Sequence, residues 1–125
     1  MSELRFTKDH EWIRLDGSVA TVGITDHAQE ALGDVVFVDL PEAGREVAAG
    51  EAVAVVESVK AASDVYAPLA GRVLESNAKL SDEPALVNSS ATGDGWFFKL
   101  EGVDAAAVAA LMDEAAYKAF LETLA

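Results

Sequence analysis

Lys60, in the run Glu57-Ser58-Val59-Lys60-Ala61-Ala62-Ser63-Asp64, is the residue of this chain whose type and setting best suit covalent chemistry. Its ε-amine can be joined in amide linkage to a long-chain cofactor, which then carries a reactive group on a flexible arm while the protein supplies position. Acylation removes the ammonium charge and leaves Glu57 and Asp64 to set a negative field around the base of the arm. The small neighbours Ala61, Ala62 and Ser63 let a modifying enzyme close over the side chain. The plainer alternative is that Lys60 is one of nine basic residues on a solvated surface.

Other chemistry finds little support. A hydrolase or transferase needs a nucleophile with its base, a metal cluster or a phosphate cradle, and the sequence offers no such constellation and no glycine-rich nucleotide motif. Cysteine is absent, which removes disulfides, thiol catalysis and Cys-based metal sites. His10 and His27 stand 17 positions apart, beside Asp9 and Glu11 in one case and Asp26 in the other. A metal site of His10, Glu11 and His27 has no recognised spacing behind it, and packing or surface roles are the other reading. No catalytic residue and no metal ligand is assigned.

The elements that must present Lys60 read as β-strands. Glu51 to Val56 and Val65 to Pro68 are β-branched and aromatic, so Lys60 falls near the turn that joins them. Upstream, Glu11 to Leu15 and Ser18 to Ile24 flank Asp16-Gly17, the strongest short hairpin signal. Thr25 or Asp26 can N-cap a short helix through Leu32, with Gly33 at its C-terminal cap. Asp34 to Leu40 is a strand stopped by Pro41, and Arg72 to Asn77 is another. Leu80 to Asn88 reads as irregular around Pro84, and the turn at Thr92 to Gly95 leads into a strand, Trp96 to Leu100, that brings three aromatics to a core. Asp104 caps an expected C-terminal helix over about 104–123, with Val108, Leu111, Met112, Ala115, Ala119, Phe120 and Leu124 at helical spacing. Pro41-Glu42-Ala43-Gly44-Arg45 and Pro68-Leu69-Ala70-Gly71-Arg72 share Pro-x-Ala-Gly-Arg, 27 positions apart. Either the match is a coincidence of turn residues, or it marks a duplication that predicts two similar β-units about a quasi-two-fold axis.

At 125 residues the chain is expected to be a single domain, 1–125, with a β core over about 4–101. The 22 acidic and nine basic residues give a net charge of −13, which repels nucleic acid and anionic membranes and favours a monomer. The acidity either steers the protein toward basic partner surfaces or serves solubility alone. No apolar stretch is long enough to span a bilayer, and the beginning of the sequence resembles neither a secretory signal nor an import presequence, so a cytoplasmic location is expected.

Several motifs together resemble one family. Asp9-His10-Glu11-Trp12, Val22-Gly23-Ile24-Thr25-Asp26-His27-Ala28-Gln29, Leu32-Gly33-Asp34-Val35-Val36-Phe37-Val38-Asp39-Leu40-Pro41, Val56 to Asp64, Asn88-Ser89 and Gly95-Trp96 are similar, in order, to the glycine cleavage system H protein family of lipoyl carriers. The resemblance implies a mainly β fold with short helices, a barrel-sandwich hybrid of the lipoyl/biotinyl-domain type, followed by a C-terminal α-helix. It implies lipoic acid in amide linkage to Lys60, within the attachment motif Glu57, Ser58, Val59, and a cleft for the arm lined by Glu11, Asp64 and Asp9. Glu11 and Asp64 take the place of the acidic residues that hold the terminal ammonium; Asp9 stands where some members have serine, and Ala31 where some have histidine. The implied partners are a pyridoxal-phosphate glycine decarboxylase (P protein), a folate-dependent aminomethyltransferase (T protein), dihydrolipoamide dehydrogenase (L protein) and the lipoate-attaching enzymes. The implied role is that of a carrier, not an enzyme. A biotin carrier is the neighbouring alternative, but those modules present the lysine between methionines, whereas Lys60 has Val59 and Ala61. A stand-alone lipoyl-relay or regulatory member would keep Lys60 as well.

Overall fold

The computed structural model describes residues 4–124, and the architecture is mainly β with short helices, in keeping with the expectation. Strands β1 (Leu4–Phe6), β2 (Glu11–Asp16) and β3 (Val19–Ile24) form an antiparallel meander. Gly17, at φ 63°, supplies the left-handed residue that the tight β2–β3 turn needs. Helix α1 (Asp26–Leu32) follows; the Thr25 side chain accepts from the Ala28 N–H at its N-terminus, and Gly33, at φ 79°, ends it. Strands β4 (Val35–Asp39), β5 (Glu46–Val47), β6 (Ala52–Ser58), β7 (Ala62–Tyr66) and β8 (Gly71–Ser76) come next. Two single-turn helices, α2 (Lys79–Asp82) and α3 (Leu86–Ser89), precede β9 (Phe98–Glu101), and the chain continues into α4 (Ala105–Ala109) and α5 (Glu114–Leu124).

The strands make a six-stranded sheet in the order β1-β2-β3-β9-β8-β5 and a three-stranded sheet in the order β4-β6-β7. Alternation along the strands sends Ile13, Val22, Val38, Val56, Val65, Val73, Phe98 and Leu100 into one core, with Phe97 beside them. A smaller cluster of Phe6, Trp12 and Tyr117 lies under α5. Gly23 is required there, because a Cβ at that position would sit 2.7 Å from the Trp12 indole.

The two Pro-x-Ala-Gly-Arg segments meet. Glu46 pairs with Arg72 and Val47 with Gly71 in an antiparallel ladder. Shifting each partner by the 27-residue repeat exchanges the pair 46 and 72 for 73 and 45, and the Val73 N–H does donate to the Arg45 carbonyl at 2.8 Å. The local pairing therefore has the register that the duplication predicts. Their glycines differ in purpose, since Gly44 has φ 91° whereas a Cβ on Gly71 would lie 2.9 Å from the Glu101 carbonyl.

Two expectations are corrected. The segment from Leu80 to Asn88 is not irregular but forms α2 and α3, because the buried Asn77 accepts from the Lys79 N–H and donates to the carbonyls of Asp94 and Trp96. The helix expected over about 104–123 is broken in two. Met112 leaves the helix to exchange backbone hydrogen bonds with Phe6, at 2.8 and 3.2 Å, and Asp113 then caps α5 by accepting from the Ala116 N–H at 2.8 Å. The apolar stripe is divided accordingly. Val108 joins the main core and Met112 and Phe120 pack on the Phe6 cluster, while Ala115 and Ala119 are exposed. Tyr117, not marked by the sequence, is the buried residue of α5.

Candidate functional site

The turn between β6 and β7 is fixed by one serine. The Ser58 hydroxyl accepts from the Lys60 and Ala61 N–H groups, both at 3.1 Å, and its backbone N–H donates to the Ala61 carbonyl at 2.7 Å. The Val59 N–H donates to the Asp34 carbonyl at 3.0 Å, which ties the tip to the start of β4. Lys60 is left exposed on a turn whose N–H groups, from Ser58 to Ala61, are all occupied. Glu57 and Val59 are exposed beside it, with Val59 at 68%. A bulge between Val35 and Phe37 also turns two successive apolar side chains outward on β4.

The lysine side chain lies along Gly33, where an added Cβ would stand 3.2 Å from its Cε and 3.8 Å from its Nζ. The absence of a side chain there gives the Lys60 stem its lane. Asn88, from α3, holds this loop: its amide donates to the Gly33 carbonyl at 2.8 Å and to Gln29 at 3.0 Å, while its oxygen accepts from the Val35 N–H at 2.9 Å. Gly33 and Asn88 lie within the family motifs, and the sequence alone assigns neither a role in the site. The signal for them was a glycine at a helix end and a lone Asn in a polar stretch, and neither discloses its partner.

Beyond Leu32 a cavity of about 210 Å³ opens between the β1–β2 loop, α1 and the β6–β7 hairpin. Asp9, Glu11 and Asp64, which the sequence brought forward as cleft residues, line it together, with Ala28, Ala31, Leu32 and Ser63. Glu57, Ser58 and Val59 shape the turn and do not line this cavity. A second cavity of about 390 Å³, lined by Tyr66, Pro68 and Leu111 among others, shares Asp9 and Glu11 with the first.

Glu11 is buried to 2% exposure with no cation against it among the described residues: its carboxylate accepts from the Thr7 hydroxyl at 2.8 Å and from the Tyr66 N–H at 3.2 Å. Burial, against the pull of those two hydrogen bonds, pushes its pKa up to about 7, and the nearby Asp9 adds to the rise. The site therefore contains an acceptor whose ionised form is incompletely compensated by the protein, and a cationic group in the cavity would complete it.

His10 sits at φ 66°, the left-handed residue that closes the β1–β2 turn. Its ring lies 4.5 Å from that of His27, and burial, with His27 as the second cause, holds its pKa below the ordinary value. The two histidines are thus packed on each other, and among the described residues no group of three His, Cys, Asp or Glu side chains could hold a metal ion.

The comparisons with known proteins agree with one another. The family model for the glycine cleavage H-protein matches residues 4–124. The chain is 67% identical to the glycine cleavage system H protein of Acidiphilium cryptum over 99% of its length and 100% of that protein. It is 58% identical to the one from Thermotoga maritima, over 96% of this chain and 97% of the other. The crystal structure of a glycine cleavage system H protein from Mycobacterium marinum superposes with a TM-score of 0.85 at 38% identity, covering 96% of this chain and 97% of that one.

Proposed function

We propose, from the premise that the chain belongs to the glycine cleavage H-protein family, that Lys60 is the lysine joined in amide linkage to lipoic acid. The fold is lipoyl-domain-like and the chain is a lipoyl carrier of the glycine cleavage system, taking the aminomethyl group derived from glycine from the P protein to the T protein and the reduced dithiol to the L protein. In our reading the lipoate-attaching enzymes and those three enzymes are its partners, the work is done in the cytoplasm by a monomer, and the chain supplies position without a catalytic group of its own.

The residues present fit a lipoyl arm. The lysine is exposed on a turn pinned by Ser58, its stem runs along the side-chain-free Gly33, and a cavity opens past Leu32. When bound, the dithiolane supplies the redox and group-carrying chemistry. The protein's part is electrostatic and steric. Glu11, Asp64 and Asp9 give the cavity three carboxylates and no Lys or Arg, so an amine brought there as its cation meets complementary charge. Ala28, Ala31 and Leu32 give an apolar wall that limits water.

The observation that carries the reading is this pairing of an exposed, pre-positioned lysine with a neighbouring acidic cavity. Its test is the intact mass of protein expressed in lipoate-fed cells, with peptide mapping and Lys60→Arg as control. One lipoyl increment mapped to Lys60, lost in the variant, is the expected result. An unmodified chain, under conditions that lipoylate an established acceptor, would refute the assignment.

A further inference from the structure

Two of the three walls of the cleft belong to different parts of the chain. One is the β1–β2 turn, which carries Asp9, His10 and Glu11; the other is α1, which carries Ala28, Ala31 and Leu32. They are joined directly by the Thr25 N–H, which donates to the His10 carbonyl at 2.9 Å. Side chains join them through the contact of the His10 and His27 rings, 4.5 Å apart, and through the Tyr117 hydroxyl, 2.8 Å from His10 Nδ1 and 2.8 Å from Thr25 Oγ1. Thr25 is the N-cap of α1, and His10 is the left-handed residue of the turn.

The protons have a consistent order. Thr25 Oγ1 accepts from the Ala28 N–H, so its own proton is free for the Tyr117 oxygen. In that order the Tyr117 proton goes to His10 Nδ1 of a neutral imidazole protonated on Nε2. The ring of Tyr117 is itself held, stacked on Phe6 with centroids 4.6 Å apart and planes 9° from parallel. An atom in a rigid cluster thus grips the turn and the helix cap at once.

We propose that Tyr117 is a positioning residue for the arm's cleft: its hydroxyl clamps the β1–β2 turn to the start of α1 and so sets the spacing between the acidic wall and the apolar wall. Tyr117 itself lines neither cavity that holds Glu11; it acts on the cleft through Thr25 and through His10, which lines it. The inference rests on the reading of the cleft as the place where the loaded arm is kept.

Tyr117→Phe removes the hydroxyl and keeps the stacked ring. In the unlipoylated protein, amide exchange at Thr25 is expected to accelerate about tenfold, with core amides such as that of Val56 unchanged, and the ¹⁵N resonance of His10 Nδ1 to shift as its donor is lost. Lipoylation at Lys60 should proceed to the same extent. The lifetime of the aminomethyl-loaded form should fall about 3- to 10-fold, the size expected for one net hydrogen bond, while Thr25→Ser, which keeps the hydroxyl, should retain it. Unchanged Thr25 exchange and unchanged lifetime in Tyr117→Phe, alongside a shortened lifetime in Glu11→Ala, would overturn the clamp and leave the cleft reading intact. An unchanged lifetime in both variants would remove the cleft reading and the clamp with it. Should Tyr117→Phe fold poorly, His10→Asn serves instead, since Asn tolerates left-handed φ while losing the ring bond; the same shortened lifetime is expected and an unchanged one is again a refutation.

Discussion

Burial makes the ionised form of Glu11 costly to the fold at neutral pH, a cost that a cation in the cleft would offset. Its pKa of about 7 in the folded chain lies above the ordinary carboxylate value of 4.5. The native state therefore binds the proton more tightly, and stability falls as pH rises from about 4.5 to about 7 before levelling off. The full difference is on the order of 3 kcal/mol. Thermal melts at pH 5 and pH 8 should show this loss, and Glu11→Gln should shrink it; an equal pH dependence in the variant would assign the effect to other groups. Gly33→Ala, at φ 79° and 3.2 Å from the Lys60 Cε, should cost about 1 kcal/mol and slow lipoylation, as timed by intact mass. A variant lipoylated at the parental rate would show that the lysine does not need the lane.

Elements that depend on neighbours in the chain were legible, and those that depend on distant partners were not. The Asp16-Gly17 turn, the Thr25 and Gly33 ends of α1 and the hairpin that carries Lys60 are all formed by residues a few positions apart, so their signals survive in sequence. The break between α4 and α5 was hidden because it is imposed by Phe6, which bonds Met112 across the chain. The acidic cleft residues Glu11 and Asp64 came from family resemblance, and the positive φ of His10 or the bond from Tyr117, 107 positions away, had no local signature. The same distinction yields a test at this scale. Asp113→Ala removes the cap of α5 and should lower stability by about 1 kcal/mol, with faster amide exchange through Tyr117 and none at β6. Asn88→Ala, which loses bonds to Gln29, Gly33 and Val35, should cost about 2 kcal/mol in denaturant unfolding and loosen the loop beside Lys60.

At the scale of the whole molecule, charge and the second core set the behaviour. Lipoylation at Lys60, as proposed, would remove one of nine Lys and Arg charges from a chain of net −13, at the exposed tip of the β6–β7 hairpin. Association with basic partner faces should weaken several-fold as salt rises from about 0.02 to about 0.2 M, because the screening length drops below about 10 Å; a flat salt profile would leave the acidity to solubility alone. The small cluster under α5 has an optical consequence. Trp12 is fully buried against Phe6 and Tyr117, with its indole N–H donating to the Ala91 carbonyl at 2.9 Å, whereas Trp96 is half-buried with the Lys99 ammonium 4.9 Å from its ring centre. In a Trp96→Phe background the remaining indole emits from a dry site, and any lifting of α5 exposes it to water and to acrylamide. The unlabelled chain thereby carries a fluorophore whose colour reports, in real time, whether the helix that grips the cleft is seated.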